Sequence, residues 1–448
     1  MNHTRVALAL IVIVYLCVGA LYAIETPDWQ VPDEPAHYNY IRALAQEGRF
    51  PVLETGDYDQ DYLGRLTSQG FPPPLSVDPI EYEDHQPPLY YLLATPVYLA
   101  FDGALLPLRL FSVLIGAGVV LLAYAFAATV FPHRPLIQLG TAAFVAFLPQ
   151  HVALMAGVNN DSLAELLIGV ALWMTVRWIK ALESQSARGP LVGLGIVLGL
   201  GLVTKATMVP VALAVFVALL LVWRRDADRD WRGLVRLLAL IFGPALLIVA
   251  LWWIRNVSVY GGLDIYGLAT HDAVVVGQPR TTDWIRDRGL RAWLERGLTF
   301  TFQSFWGQFG WMGVVMPTWL YRVLAIWSGM LVLGFLYSLR EARDEQQRAR
   351  DERLYPQRNT QLTFLAATVG FVILAYLYYN RTFVQHQGRY LFPALIPIAL
   401  AVALATAGLL HLLRLPDRLR PLAFATPYLA LVALDLYALW RFIVPALT

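Results

Sequence analysis

Apolar runs of about 20 residues recur along the whole chain, and a run of that length crosses a bilayer as a helix. They fall at about 5–24, 104–131, 135–156, 163–182, 190–205, 207–223, 234–255, 317–339, 361–379, 390–413 and 421–445. In hydrocarbon every backbone N–H and C=O must be paired internally, so such segments cannot be loops or open strands. The spacing predicts an all-α polytopic membrane protein with about eleven transmembrane helices. Only 15% of the 448 residues are charged, against about a quarter in soluble domains. A net charge of +2 offers no basic patch for nucleic acid. The single cysteine, Cys17, lies in the first run, so no intrachain disulfide forms. Residues 5–24 exceed a signal-peptide core, and Leu21-Tyr22-Ala23 lacks a small residue at the first cleavage position. They read as a retained anchor. The 190–223 run is broken by Lys205 and Pro210 and reads as a hairpin of two short helices, with a single span as the alternative.

Orientation follows from arginine and lysine in short connections. His133-Arg134, the Lys180/Arg188 loop, the Arg224–Arg236 loop, the Arg340–Arg358 loop and the Arg414–Arg420 loop fall on one side. That side is expected to be cytoplasmic, with the N-terminus. Two long segments, 25–103 and 256–316, and the turns 157–162 and 380–389 fall opposite. Lysine occurs only at Lys180 and Lys205 among many arginines, a bias typical of GC-rich bacterial coding.

Polar motifs gather on the side of the long segments. In "PDEPAH", Asp33, Glu34 and His37 share the face of a helix that Pro35 opens. One acid can take a proton while the other, with His37, orients it or binds a cation; a helix cap with a favourable dipole accounts for the same residues. "EDHQPPLYYLL" brings Glu83, Asp84, His85 and Gln86 to a helix start, and Leu89–Phe101 is too short to span and reads as interfacial. "NNDSLAE" places Asp161 before a capping-box pattern of Ser162 and Glu165. Lys205 sits within an apolar run, where a charge costs about 2.5–3.5 kcal/mol and so faces either a polar partner or an interface. Arg389, in "QHQGRYLFP", opens a span where a cation opposes the helix dipole unless an anion is bound. Arg255 in "WWIRN" closes one. Trp306 and Trp311 in "FWGQFGW" either stack on a sugar or belong to an aromatic belt.

The ordered set "PDEPAH", "HQPPLYYLL", "RLFSVLIGAGVVLLAYAFAATVF", "NNDS", "WWIRN", "FWGQFGW" and "QGRYLFP" resembles the GT-C superfamily of polytopic membrane glycosyltransferases. Within it the resemblance is to glycosyltransferase family 39, the protein O-mannosyltransferase and aminoarabinose-transferase group, in a bacterial branch. It covers essentially the whole chain, 1–448, as one integral membrane domain with interfacial helices in the first extracytoplasmic loop. The resemblance implies inverting transfer of a sugar from a polyprenyl-phosphate donor to a lipid, glycan or protein acceptor, at the extracytoplasmic face of the inner membrane. Asp33 maps to the family's base, with Glu34 beside it as a second catalytic acid. A lipid phosphate leaving group needs cationic and hydrogen-bonding partners. The candidates are His85, Gln86, Lys205, Arg255, His386, Arg389 and Tyr390. His37, Asp161, Trp306 and Trp311 are candidates for sugar or acceptor. Glu34, His37 and His85 are candidate ligands for a divalent cation, and no organic cofactor is expected. Gln86 stands between His85 and Pro87 where many family members read His-Pro-Pro or Lys-Pro-Pro, which puts an amide at the expected phosphate-facing position. A transporter or flippase of lipid-linked sugars, and an oligosaccharide ligase using a diphosphate carrier, are the competing expectations.

Overall fold

The computed structural model describes residues 2–181, 191–224, 230–348 and 356–448. The charged connectors at 182–190, 225–229 and 349–355, including Arg188, lie outside the described residues. The chain is a multi-pass bundle of helices. α1 (Asn2–Glu25) leads into a long segment carrying α2 (Glu34–Glu47), α3 (Gln60–Ser68) and α4 (Leu89–Ala100). Then follow α5 (Leu105–Val130), α6 (Pro135–Ala146), α7 (Pro149–Met155), α8 (Asp161–Ala181), α9 (Leu191–Leu202), α10 (Met208–Trp223) and α11 (Trp231–Tyr260). The second long segment carries α12 (Leu268–Val274), α13 (Thr281–Arg288), α14 (Leu290–Trp306) and an antiparallel ribbon, β1 (Gln308–Phe309) and β2 (Val314–Val315). α15 (Thr318–Arg348), α16 (Pro356–Tyr379), a 3-10 turn (Gly388–Ala394) running into α17 (Leu395–Leu412), and α18 (Arg420–Ala438) complete the bundle.

Among the described residues, eight helices are long and apolar enough to cross a bilayer, and nine if the bent pair α6 and α7 is one span. The expectation of eleven is corrected by α9 and α10. With 12 and 16 residues and a rise of about 1.5 Å per residue, they reach about 18 and 24 Å, short of a hydrocarbon core of about 30 Å. They form two short apolar helices whose shared turn carries Lys205. The 59° bend between α6 and α7 has a local cause. Pro149 opens α7, and the residue before a proline is driven out of the helical region; Leu148 is extended, with ψ of 113°.

α5 packs between α1, α6 and α8 and forms the centre of the main core. α15 and α17 cross where Gly334 meets Gly408. A Cβ on Gly334 would come within 2.1 Å of the Ala405 carbonyl oxygen, and one on Gly408 within 2.2 Å of the Gly334 carbonyl oxygen. Only glycine admits this approach, the usual device of membrane helix packing.

The two long segments lie on the same face and are tied together. The Trp311 indole N–H donates to the Trp29 carbonyl at 2.9 Å, and the rings of His85 and His271 lie 4.8 Å apart. The second segment also bonds to the 380–387 turn, through Thr281 N–H to the Thr382 carbonyl and Val384 N–H to the Pro279 carbonyl, both 3.0 Å.

Candidate active site

The site is built on one buried ion pair. Arg109, in α5, meets Glu34, in the first turn of α2, through two hydrogen bonds: Nε to Oε1 at 2.8 Å and Nη2 to Oε2 at 2.6 Å. Their side chains are 2% and 0% exposed. Every group left over is engaged. The guanidinium also donates to the carbonyls of Ala23, Thr26 and Pro27. The carboxylate also accepts from the backbone N–H groups of Trp29 and Val158. A carboxylate with its lone pairs so committed has none for a metal or for proton transfer. Glu34 fixes the start of α2 against α1, α5 and the 156–160 turn, which corrects its expected catalytic and metal-binding roles.

The neighbouring residue is held in the opposite state. Asp33 occupies the N-cap position of α2 with φ of 67°, the left-handed region that non-glycine residues seldom enter. Its side chain makes no cap hydrogen bond. It turns away from the helix instead. Arg389 Nη2 donates to Oδ2 at 2.7 Å, and the Tyr82 hydroxyl donates to Oδ1 at 2.8 Å. The capping account of Asp33 is therefore set aside by its geometry. Arg389 reaches this point because the turn that carries it presses on α14. Gly388 N–H donates to Ser304 Oγ at 2.8 Å, and a Cβ on Gly388 would lie 2.3 Å from the backbone nitrogen of Phe305.

A second ion pair stands alongside. Lys205 Nζ donates to Asp161 Oδ1 at 2.6 Å, so the charge at the α9–α10 turn has an acid partner at the start of α8. The expected capping box there does not form. Asn159 caps α8 by accepting from Asp161 N–H and Ser162 N–H, while Glu165 pairs with His151 at 3.0 Å. Asp161 is thereby left for Lys205. Asn160 links the pieces, donating toward Gln86 Oε1 at 3.2 Å and the Thr204 carbonyl at 3.3 Å. Gln86 donates in turn to Glu83 at 2.7 Å. His37 Nδ1 is 2.8 Å from the Tyr91 hydroxyl, and Tyr390 lies beneath the Arg389 guanidinium.

Burial would raise Asp33, but the Arg389 charge and the surrounding groups, the hydrogen bonds from Arg389 and Tyr82 among them, together more than reverse this and hold it near 2. His37 is pushed down to about 3, by burial first and then by Lys205. His85 falls well below its ordinary value, by burial and then by His271. His386 falls to about 4 through burial and then Arg296. All three imidazoles are neutral at physiological pH, so the cations of the site are Arg389 and Lys205. Glu83 is raised to about 7, by burial and then by the Asp33 charge.

Other expected residues lie elsewhere. Arg255 donates to the Pro51 carbonyl at 2.5 Å and lies over Trp252, bracing the first long segment. Trp306 is packed among Phe144, Phe305 and Trp327, which removes it as a sugar platform. Trp311 stacks on Phe71 and ties the two segments. His85 bonds to the Tyr82 carbonyl through Nδ1. Among the described residues no group of three or more His, Cys, Asp or Glu is arranged to hold a metal ion. Glu34, His37 and His85 do not fit a divalent cation as a set. Tyr82, Arg109 and Asn160 were not singled out by the sequence reading. The one available signal was Arg109 itself, a lone charge in an apolar run.

Two cavities lie near the site, one beside the 386–391 segment and one reaching Asp33 through Tyr82. One, of about 560 Å³, is almost wholly apolar and lies against α14 to α17, with Trp293, Leu298, Phe305, Tyr376, Leu391 and His386 in its wall. Neither ring nitrogen of the buried His386 has a hydrogen-bond partner. The other, of about 260 Å³, belongs to the first long segment.

The fold is shared with solved membrane oligosaccharyltransferases. The chain is similar to the apo oligosaccharyltransferase of Archaeoglobus fulgidus, with a TM-score of 0.52 at 14% identity over 96% of this chain and 56% of that one. It is similar to the same organism's AglB in complex with an inhibitory peptide and a dolichol-phosphate, with a TM-score of 0.54 at 14% identity over 98% and 56% of the two chains. A further match is ArnT from Cupriavidus metallidurans bound to undecaprenyl phosphate, with a TM-score of 0.49 at 14% identity over 98% and 73%. The chain thus spans about half the length of the archaeal enzyme. No curated protein matches it by sequence. The family described as predicted membrane protein (DUF2142) matches residues 75–398, a range that carries Tyr82, Asp161, Lys205 and Arg389 and begins after Asp33; the chain belongs to that family.

Proposed function

We propose that this protein transfers a sugar from a polyprenyl-phosphate donor to an acceptor hydroxyl on the extracytoplasmic face, with inversion and with Asp33 as general base. The observation that carries the reading is the Asp33 carboxylate, turned off its helix cap and held between a guanidinium and a tyrosine hydroxyl. Archaeal AglB, which shares the fold, is described with a dolichol-phosphate. The apolar cavity beside the 386–391 segment offers a place for an isoprenoid chain whose phosphate meets Arg389.

The resting site is neutral, with Arg389 paired to Asp33 and Lys205 paired to Asp161. A carboxylate near 2 is a feeble base. A donor phosphate competes for Arg389 and binds it with two parallel hydrogen bonds. Once Arg389 leaves, the chief opposition to burial is gone, and the proton affinity of Asp33 rises when the donor is in place. The acceptor O–H then gives its proton to Asp33, and its oxygen bonds to the anomeric carbon. The bond from that carbon to the phosphate oxygen breaks, and its electron pair stays on the phosphate facing Arg389 and Lys205. Attack opposite the leaving group inverts the centre, as in inverting glycosidases. Glu83 favours a second reading, because an acid raised to about 7 is itself suited to take a proton at neutral pH.

The protein reconstituted in liposomes is expected to turn over a synthetic polyprenyl-monophosphate sugar and not the diphosphate. Turnover of the diphosphate alone supports a ligase instead. Movement of the lipid-linked sugar across the bilayer without turnover of either donor supports a flippase.

A further inference from the structure

The cavity in the first long segment points to the acceptor. We infer that it binds a ring of a water-soluble carbohydrate acceptor, placing one hydroxyl at Asp33. The inference rests on the glycosyl-transfer reading above and adds the acceptor class to it.

The cavity is lined by three tyrosines, Tyr58, Tyr62 and Tyr82, and two aspartates, Asp57 and Asp59, with Gly56, Leu63, Pro79 and Ile80 completing its wall. This is the pairing that polyols use. Aromatic faces cover the C–H side of a sugar ring, and carboxylates accept from its hydroxyls. Each aspartate keeps one oxygen for that purpose. Asp57 spends Oδ2 on Glu54 N–H, and Asp59 spends Oδ1 on the N–H groups of Asp61 and Tyr62. No other hydrogen bond among the described residues engages their second oxygens.

The cavity adjoins the reacting groups through Tyr82. The Tyr82 ring packs edge-on against Tyr58, with centroids 5.4 Å apart, and its hydroxyl donates to Asp33 Oδ1. A hydroxyl of a bound sugar that displaces the Tyr82 donor lands on the carboxylate oxygen not engaged by Arg389. With Arg389 drawn from Oδ2 to the donor's phosphate, Asp33 then holds the acceptor at Oδ1. On transfer, that hydroxyl's proton passes to Oδ1 as its oxygen bonds to the anomeric carbon, and the bond from that carbon to the donor's phosphate oxygen breaks with its electron pair left on the phosphate.

Other acceptor classes fit less well. A lipid chain has a larger and more apolar cavity of its own, against α14 to α17. A peptide that adds to a strand edge is held by main-chain hydrogen bonds, and none of the described strands lines this cavity.

The test uses the full-length protein in detergent with gluco-, galacto- and manno-configured di- and trisaccharides as probes. Saturation-transfer NMR is expected to show at least one probe binding the wild type, with binding weakened in Tyr62→Ala and restored in Tyr62→Phe. With that probe as acceptor, Tyr62→Ala is expected to raise KM about three- to tenfold, the worth of one aromatic stack, with little change in kcat. No probe binding, equal binding by Tyr62→Ala, or transfer only to lipid or peptide acceptors overturns the inference. Sugar release from the donor to water by the wild type reports the donor reading alone. Its failure together with retained probe binding would fault that reading and leave the cavity assignment standing.

Discussion

Asp33→Asn is expected to lower sugar transfer by about 10²–10⁴-fold in kcat, the range for loss of a general base, while the protein stays folded. Asparagine is suited to the test, because it shares with aspartate the tolerance for the left-handed backbone that residue 33 adopts. It keeps the side-chain shape and an oxygen for Tyr82. It removes the charge and the proton affinity. The altered ion pair with Arg389 is neither fully buried nor on the surface, at 24% exposure for Asp33 and 11% for Arg389, and the asparagine oxygen can still accept from Arg389. A loss of activity far larger than the shift in the unfolding midpoint therefore separates chemistry from folding. Glu83→Gln, measured beside it, decides between the two acids. If Glu83→Gln removes transfer and Asp33→Asn spares it, the base is Glu83.

Arg109→Leu has the opposite signature. The pair with Glu34 is fully buried, and removing one partner of such a pair costs about 3–5 kcal/mol because the other charge is left without compensation. Three carbonyls also lose their donor. We expect a steep fall in the detergent unfolding midpoint and in the yield of folded protein. The double variant Glu34→Leu/Arg109→Leu is expected to recover part of the loss, since no buried charge remains. Recovery stays incomplete because the N–H groups of Trp29 and Val158 are then unpaired. A single variant as stable as the wild type would show that the pair does not hold α2 in place.

These two neighbours show how far the sequence could be read. The apolar runs declared the bundle, and the Asp33-Glu34 pair declared a polar site at a helix start. The sequence could not tell which acid is locked in a buried ion pair and which turns off its helix cap. That division depends on Arg109 and Arg389, which lie 75 and 356 positions away in the chain. Local pattern was equally blind at Asp161, where Asn159 caps the helix and releases the acid for Lys205. The short helices α9 and α10 were legible from Lys205 and Pro210, but their lengths set a lower span count than the apolar runs suggested. Trp306 misled because an aromatic-glycine motif has the same composition at a sugar platform as in a core. Tyr82, which joins the first-segment cavity to Asp33, carries no motif. Tyrosine is common in this chain, with 22 copies, and only the fold brings one of them to the carboxylate.

The central claim is that Arg389 leaves Asp33 for the donor's phosphate. A cryo-EM structure of the full-length protein with a bound polyprenyl phosphate tests it most directly. The account predicts the phosphate within hydrogen-bond distance of Arg389, the isoprenoid chain in the apolar cavity beside His386, and the Arg389–Asp33 contact opened. A phosphate bound elsewhere, with Arg389 still paired to Asp33, would contradict it.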